Sequence, residues 1–104
     1  MKATFLYRGN SLCGYALEGH CGGVAGSDIV CAAVSSAAYL TANTITEIIK
    51  ADANVSVDDD GKMELTLSPA DSIRCADILQ GFHLHMTQLA DDYPKQIQLT
   101  NSEV

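Results

Sequence analysis

Two long stretches of the chain carry apolar residues at helical spacing, while the short stretches around them alternate. In residues 28–51, Val30, Val34, Ala37, Thr41, Ile45 and Ile48 fall on one stripe of period 3.6. In residues 69–92, Cys75, Ile78, Phe82, Met86 and Leu89 do the same. Elsewhere the period drops to two. Residues 2–8 set Ala3, Phe5 and Tyr7 against Thr4 and Arg8, the pattern of a half-buried strand. Residues 14–20, 54–58, 62–67 and 95–100 also read as strands. Gly9-Asn10 marks a turn, and Asp58-Asp59-Asp60-Gly61 closes a hairpin. Ser27 or Asp28 supplies the N-cap of the first helix. Ser68, Pro69 and Asp71 supply the N-cap, first helical position and capping-box partner of the second, and Pro94 ends it. The order is ββαββαβ. It implies an α+β fold, a mainly antiparallel sheet packed with two amphipathic helices. The pattern leaves strand order open.

Residues 1–104 read as a single domain, long enough to bury about two-thirds of the unfolded surface. Apolar residues make up 47% and charged residues 18%, a globular balance. The formal net charge of -7 argues against nucleic acid or an anionic membrane as partner and permits a basic one. The apolar run at the start is cut by Arg8, too short for a secretory signal, and no stretch reads as a membrane span. The chain is therefore expected in a reducing cytoplasm, where cysteines stay free, catalytic or metal-bound.

Of the four cysteines, Cys31 is placed to be a nucleophile. It falls at about the third residue of the first helix, where unpaired amides and the helix dipole favour a thiolate over a thiol. The amides from Ser27 to Cys31 are also placed to hold a developing oxyanion. His20 closes the second strand, ahead of a glycine-rich loop leading to that helix. An imidazole there can act as general base or pair with the thiolate. Spacing alone is weak evidence, and it favours the other reading, a half-buried structural cysteine on a helix. Cys75 reads as core, and Cys13 falls in a turn region where exposure is expected. His83 and His85, two apart on a helix, face different sides and cannot share a metal; both read as surface or interface residues. The Asp58–Asp60 run lacks the alternating ligands and distal Glu of a calcium loop, so it reads as a solvated turn.

The run Gly19-His20, followed after a glycine-containing loop by Gly26, Asp28-Ile29-Val30-Cys31-Ala32 and Ser35, resembles the signature of the Prp family of ribosomal-processing cysteine proteases. The resemblance extends over the whole chain in length, acidic balance and element order. It implies an endopeptidase with Cys31 as nucleophile and His20 as base, and needs no cofactor or metal. It further implies that the substrate is the N-terminal extension of large-subunit ribosomal protein 27, a basic protein, cut after an aromatic pair and before a small residue. It implies a homodimer as well. Asp28 and Ser35 would support the site. Asp28 would cap the first turn or orient His20, and Ser35 would hydrogen-bond near the thiolate or simply allow close helix packing. The loop Cys21, Gly22, Gly23, Val24, Ala25 and Gly26 would move to admit substrate. Cys21 departs from the family's usual small residue. It either packs as one or bridges Cys31 under oxidation.

Two other functions fit parts of the sequence. A metal or redox module would draw on Cys13, His20, Cys21 and Cys31, but no C-x-x-C pair is present. A non-catalytic ribosome-associated binding module of the same fold would make the thiol dispensable.

Overall fold

The computed structural model describes residues 1–19 and 27–104, with Ser27 and Asp28 given by backbone alone. Its elements are β1 (Lys2–Arg8), β2 (Ser11–Glu18), α1 (Ser27–Asn43) running on into a π-helical turn (Thr44–Ile48), β3 (Ala53–Val57), β4 (Met63–Leu67), α2 (Pro69–Arg74), α3 (Ala76–Asp92) and β5 (Gln98–Glu103). The five strands form one sheet in the order β3-β4-β2-β1-β5. Neighbours are antiparallel except β5, which lies parallel to β1. A hairpin joins antiparallel neighbours; the parallel placement of β5 needs the long return through the helices. This is the expected α+β fold, its sheet mixed and mainly antiparallel.

The alternation in the strands decides which face is covered. Ala3, Phe5, Tyr15, Leu17, Met63, Leu65 and Leu67 point to the helical layer and are buried. Phe82 of α3 stands over this face, with ring centroids 4.5 Å from Tyr15 and 5.9 Å from Phe5. Truncating such an aromatic to Ala typically costs about 3–5 kcal/mol. The Tyr15 hydroxyl donates to the Ala38 carbonyl oxygen at 2.8 Å, fixing α1 over β2. Burial also raises the Tyr15 phenol above its ordinary pKa of 10.0, with the nearby Tyr39 as a smaller cause. Gly14 makes the β2–β4 approach possible: a Cβ there would strike the Leu65 carbonyl oxygen.

Several boundaries differ from the sequence pattern for identifiable reasons. Strand β2 starts three residues earlier than expected, which puts Cys13 inside the strand, fully buried instead of exposed in a turn. β5 starts at Gln98, after a turn over Pro94–Gln96, and its Gln98 amide donates to the Met1 carbonyl. The first helical stripe holds at Val30, Val34, Thr41 and Ile45, but Ile48 is 76% exposed. There the ladder widens to i→i+5, with the Ile49 amide on the Thr44 carbonyl at 2.8 Å, and the rotation carries Ile48 out of the core. Helical spacing predicts one helix over 69–92; the backbone leaves helical geometry at Cys75 (φ -103, ψ 11) and divides it into α2 and α3. Ser68 caps α2 as its spacing predicts, accepting from the Asp71 amide at 3.2 Å. The Asp71 carboxylate accepts from Arg74 and from the Asp52 amide, and Arg74 also donates to the Ile49 carbonyl. That cluster ties α2 to the end of the π-helical turn. Finally, Ile29–Ile48 is long and apolar enough to span a membrane on composition, contrary to the expectation above. In this fold its buried stripe faces the core.

Candidate active site

The fold begins α1 at one end of the sheet and sends it back over the strands. Strand β2 runs toward Glu18, which pairs with Lys2, and α1 starts beyond that end. Ala38 sits above Tyr15, so Cys31, two turns earlier, lies about 10 Å further toward the Glu18 end at 1.5 Å per residue. Cys31 is the fifth helical residue, two positions deeper than spacing suggests. The amides of Ser27, Asp28 and Ile29 have no acceptor within the helix and stand one turn before its sulfur. They contribute the positive end of a 17-residue helix.

Cys31 is half-buried, its inner side packed on the core cluster. It is disulfide-bonded in this structure, whereas Cys13 and Cys75 are free and buried. The expectation of free thiols therefore does not hold at Cys31. Ser35 lies one turn later and is exposed. Asp28 is in the first turn, three residues before Cys31; its side chain, His20 and the loop 21–26 lie outside the described residues. The Cys31–His20 pairing is an expectation of the sequence resemblance and lies outside the described residues.

The remaining chemistry-bearing residues are held elsewhere. Cys75 is fully buried at the junction of α2 and α3. Burial first, then the Asp71 carboxylate, push its thiol above the ordinary value, with Arg74 acting in the opposite sense. His83 is half-buried against Phe5 at 4.5 Å between ring centroids, while His85 is exposed. His85 lines a groove of about 430 Å³ between α1 and α3 together with Ser36, Leu40 and Ile78. That groove does not include Cys31. The Asp58–Asp60 run is the turn it promises, with the Asp58 carboxylate accepting from the amides of Asp60 and Lys62. Among the described residues no cluster of His, Cys, Asp or Glu is arranged to hold a metal.

Sequence reasoning missed one surface at this end of the molecule. Val55 and Val57 point to the helical side of β3 yet are 43% and 52% exposed. Their alternation with Asn54 and Ser56 looks like that of any covered strand, so only the strand order reveals that the helical layer stops before them.

The sequence model of the family described as cysteine protease Prp matches residues 1–98. The chain belongs to that family. Among solved structures, this Prp-family chain is similar to SMU.848 from Streptococcus mutans, at 30% identity and a TM-score of 0.86, over 99% of this chain and 94% of that one. It also shares its fold with the ribosomal processing protease Prp of S. aureus, solved with a substrate peptide, at 19% identity and a TM-score of 0.86, over 97% of this chain and 98% of that one. The same S. aureus protein with a covalently linked product peptide gives a TM-score of 0.84 at 19% identity, over 97% and 98% of the two chains. No curated protein sequence matches significantly.

Proposed function

We propose that this chain is a cysteine endopeptidase whose nucleophile is Cys31 and whose base is His20, and that it removes the N-terminal extension of large-subunit ribosomal protein 27. The observation that carries this reading is Cys31 itself. It is a half-exposed sulfur one turn behind the start of a 17-residue helix, inside the region matched by the cysteine protease family. The working form is the reduced one, so a dithiol or phosphine must first open the disulfide that Cys31 makes here.

The Cys31 thiolate attacks the scissile carbonyl carbon and forms a C–S bond, and the carbonyl electrons move to oxygen. The amides at the start of α1 are the donors for that oxyanion. The imidazolium of His20 gives its proton to the leaving amine as the C–N bond breaks, which leaves a thioester on Cys31. Water then loses a proton to His20 and attacks the thioester, releasing the new carboxylate and the thiolate. Asp28, in the first turn, supports the helix start or orients His20, and Ser35 stands on the exposed side next to the sulfur. The loop Cys21–Gly26 admits the peptide. The S. aureus relative, solved with a substrate peptide, supports a peptide as substrate, and the net charge of -7 suits one taken from a basic ribosomal protein. We assign the protein to the cytoplasm, where the disulfide is kept open, and to a homodimer.

The test uses a peptide spanning the extension junction, incubated with reduced protein, with Cys31→Ala and with His20→Ala. Cleavage by the wild type alone, with peptide binding retained in both variants, is the expected result. Equal cleavage by Cys31→Ala would eliminate the protease. Binding without cleavage by any form would favour the binding module.

A further inference from the structure

The two edges of the sheet are built differently. On β5 the residues facing the helical side are Leu99, Asn101 and Glu103, and the Glu103 carboxylate accepts from the Gly9 amide at 2.7 Å. On β3 the equivalent positions hold Val55 and Val57, both largely open to solvent. One strand further in, Met63, Leu65 and Leu67 are buried, so the helical layer ends at β4 and the two valines form a bare apolar ledge beside it.

The backbone of this ledge is open as well. The Asp58 amide donates to the Lys62 carbonyl at 3.0 Å, which makes that pair hydrogen-bonded. Antiparallel pairs alternate, so Ser56–Glu64 and Asn54–Thr66 carry the ladder inward. The N–H and C=O groups of Val55 and Val57 then point away from the sheet, at the side where no described strand pairs. Val57 pairs with Met63, which pairs with Leu17, and this row lies at the end of the sheet toward which Cys31 projects. Directly beyond Val57 stand the exposed carboxylates of Asp58, Asp59 and Asp60.

We infer that the outer edge of β3 is the strand on which substrate docks. An extended peptide adds there as another strand, its backbone bonded to Val55 and Val57. Its apolar side chains at alternate positions lie on the valine ledge, and a basic flank lies against Asp58–Asp60. The three carboxylates at this end of the edge favour an occupant with a basic flank, whose lysines and arginines they draw in. This inference rests on the peptidase reading and adds where the peptide lies and what is read in it.

The experiment measures fluorescence anisotropy of an extended peptide with apolar residues at i and i+2 and a basic flank, on reduced Cys31→Ala protein. Val57→Pro deletes one outward amide and leaves the inner ladder intact; Val55→Lys charges the ledge at an exposed position and guards against misfolding by the proline. Each is expected to weaken binding at least tenfold with an unchanged circular dichroism spectrum. Methylating peptide amides one at a time should weaken binding at alternate positions only. The double variant Asp59→Asn/Asp60→Asn should weaken binding about threefold and flatten its salt dependence. Unchanged binding in both Val57→Pro and Val55→Lys, or equal sensitivity at every methylated position, overturns the inference. So does a concentration-dependent dimer that Val57→Pro abolishes, since a second copy would then hold the edge. If wild-type protein cleaves the peptide but the β3 variants bind normally, docking alone fails. If binding needs β3 yet no form cleaves, the peptidase reading fails and docking stands.

Discussion

Among the described residues, two sulfurs sit near helix starts, and they differ in burial and in what lies before them on the chain. Cys31 lies in the second turn of the 17-residue α1 and is half-buried. Cys75 is the N-cap of α3, also 17 residues long, but it is at once the C-cap of α2. The negative end of one helix meets the positive end of the other at that residue, so their fields oppose. Burial and Asp71 then push the Cys75 thiol up. A helix start therefore does not make a nucleophile by itself. At Cys75 the end of α2 opposes it, and burial puts the thiol out of reach.

This contrast can be broken in four places. Cys31→Ala should lower cleavage by at least about 10³-fold, as loss of a nucleophile does, while Cys75→Ala should leave the rate within about twofold. Steady-state kinetics on reduced protein at a temperature well below melting decides it. After reduction, an alkylating probe at neutral pH should modify Cys31 at least about tenfold faster than Cys75 or Cys13, which only opening of the fold exposes. Peptide mapping against time gives the ratio, and equal rates would undo the helix-start account. Cys75→Ala should cost about 1 kcal/mol of stability in denaturant unfolding, since it removes a fully buried side chain. The smallest effect is on pH. A thiol held above its ordinary 9.0 in the folded state stabilises fully below that value and loses this contribution as pH climbs through the raised one. Melting temperature should therefore decline above about pH 9, with a smaller decline in Cys75→Ala; Tyr15→Phe separates the tyrosine's contribution of the same sign, which begins above 10.0.

Much of the fold was legible because period and capping are local. The strand alternation, the Ser68-Pro69 start of α2 and the acidic hairpin turn each follow from a few neighbouring residues. The break at Cys75 was not legible, since it comes from a tertiary demand: Arg74 must reach the Ile49 carbonyl while α3 lays Phe82 over Tyr15. The outward rotation of Ile48 has no local marker either, because a π-helical turn leaves the 3.6-residue pattern intact until its last residue. At the candidate site, the helix start and the family signature both point to Cys31, while the expected partner His20 lies outside the described residues. The valine ledge was not, because NVSVD has the alternation of any half-covered strand and only its place at the edge of the order exposes both valines.

Gly14 gives the sheet an unexpected division of labour. A single absent methyl group lets β4 close on β2, and β3 is attached to the rest of the sheet only through β4. Any side chain at that position would wedge apart two halves of the molecule, one holding the aromatic core and the other the edge that faces substrate. The distance between Cys31 and the proposed docking strand is thus set from a site that touches neither, and a Gly14→Ala chain that still folded would bind its peptide out of step with that sulfur.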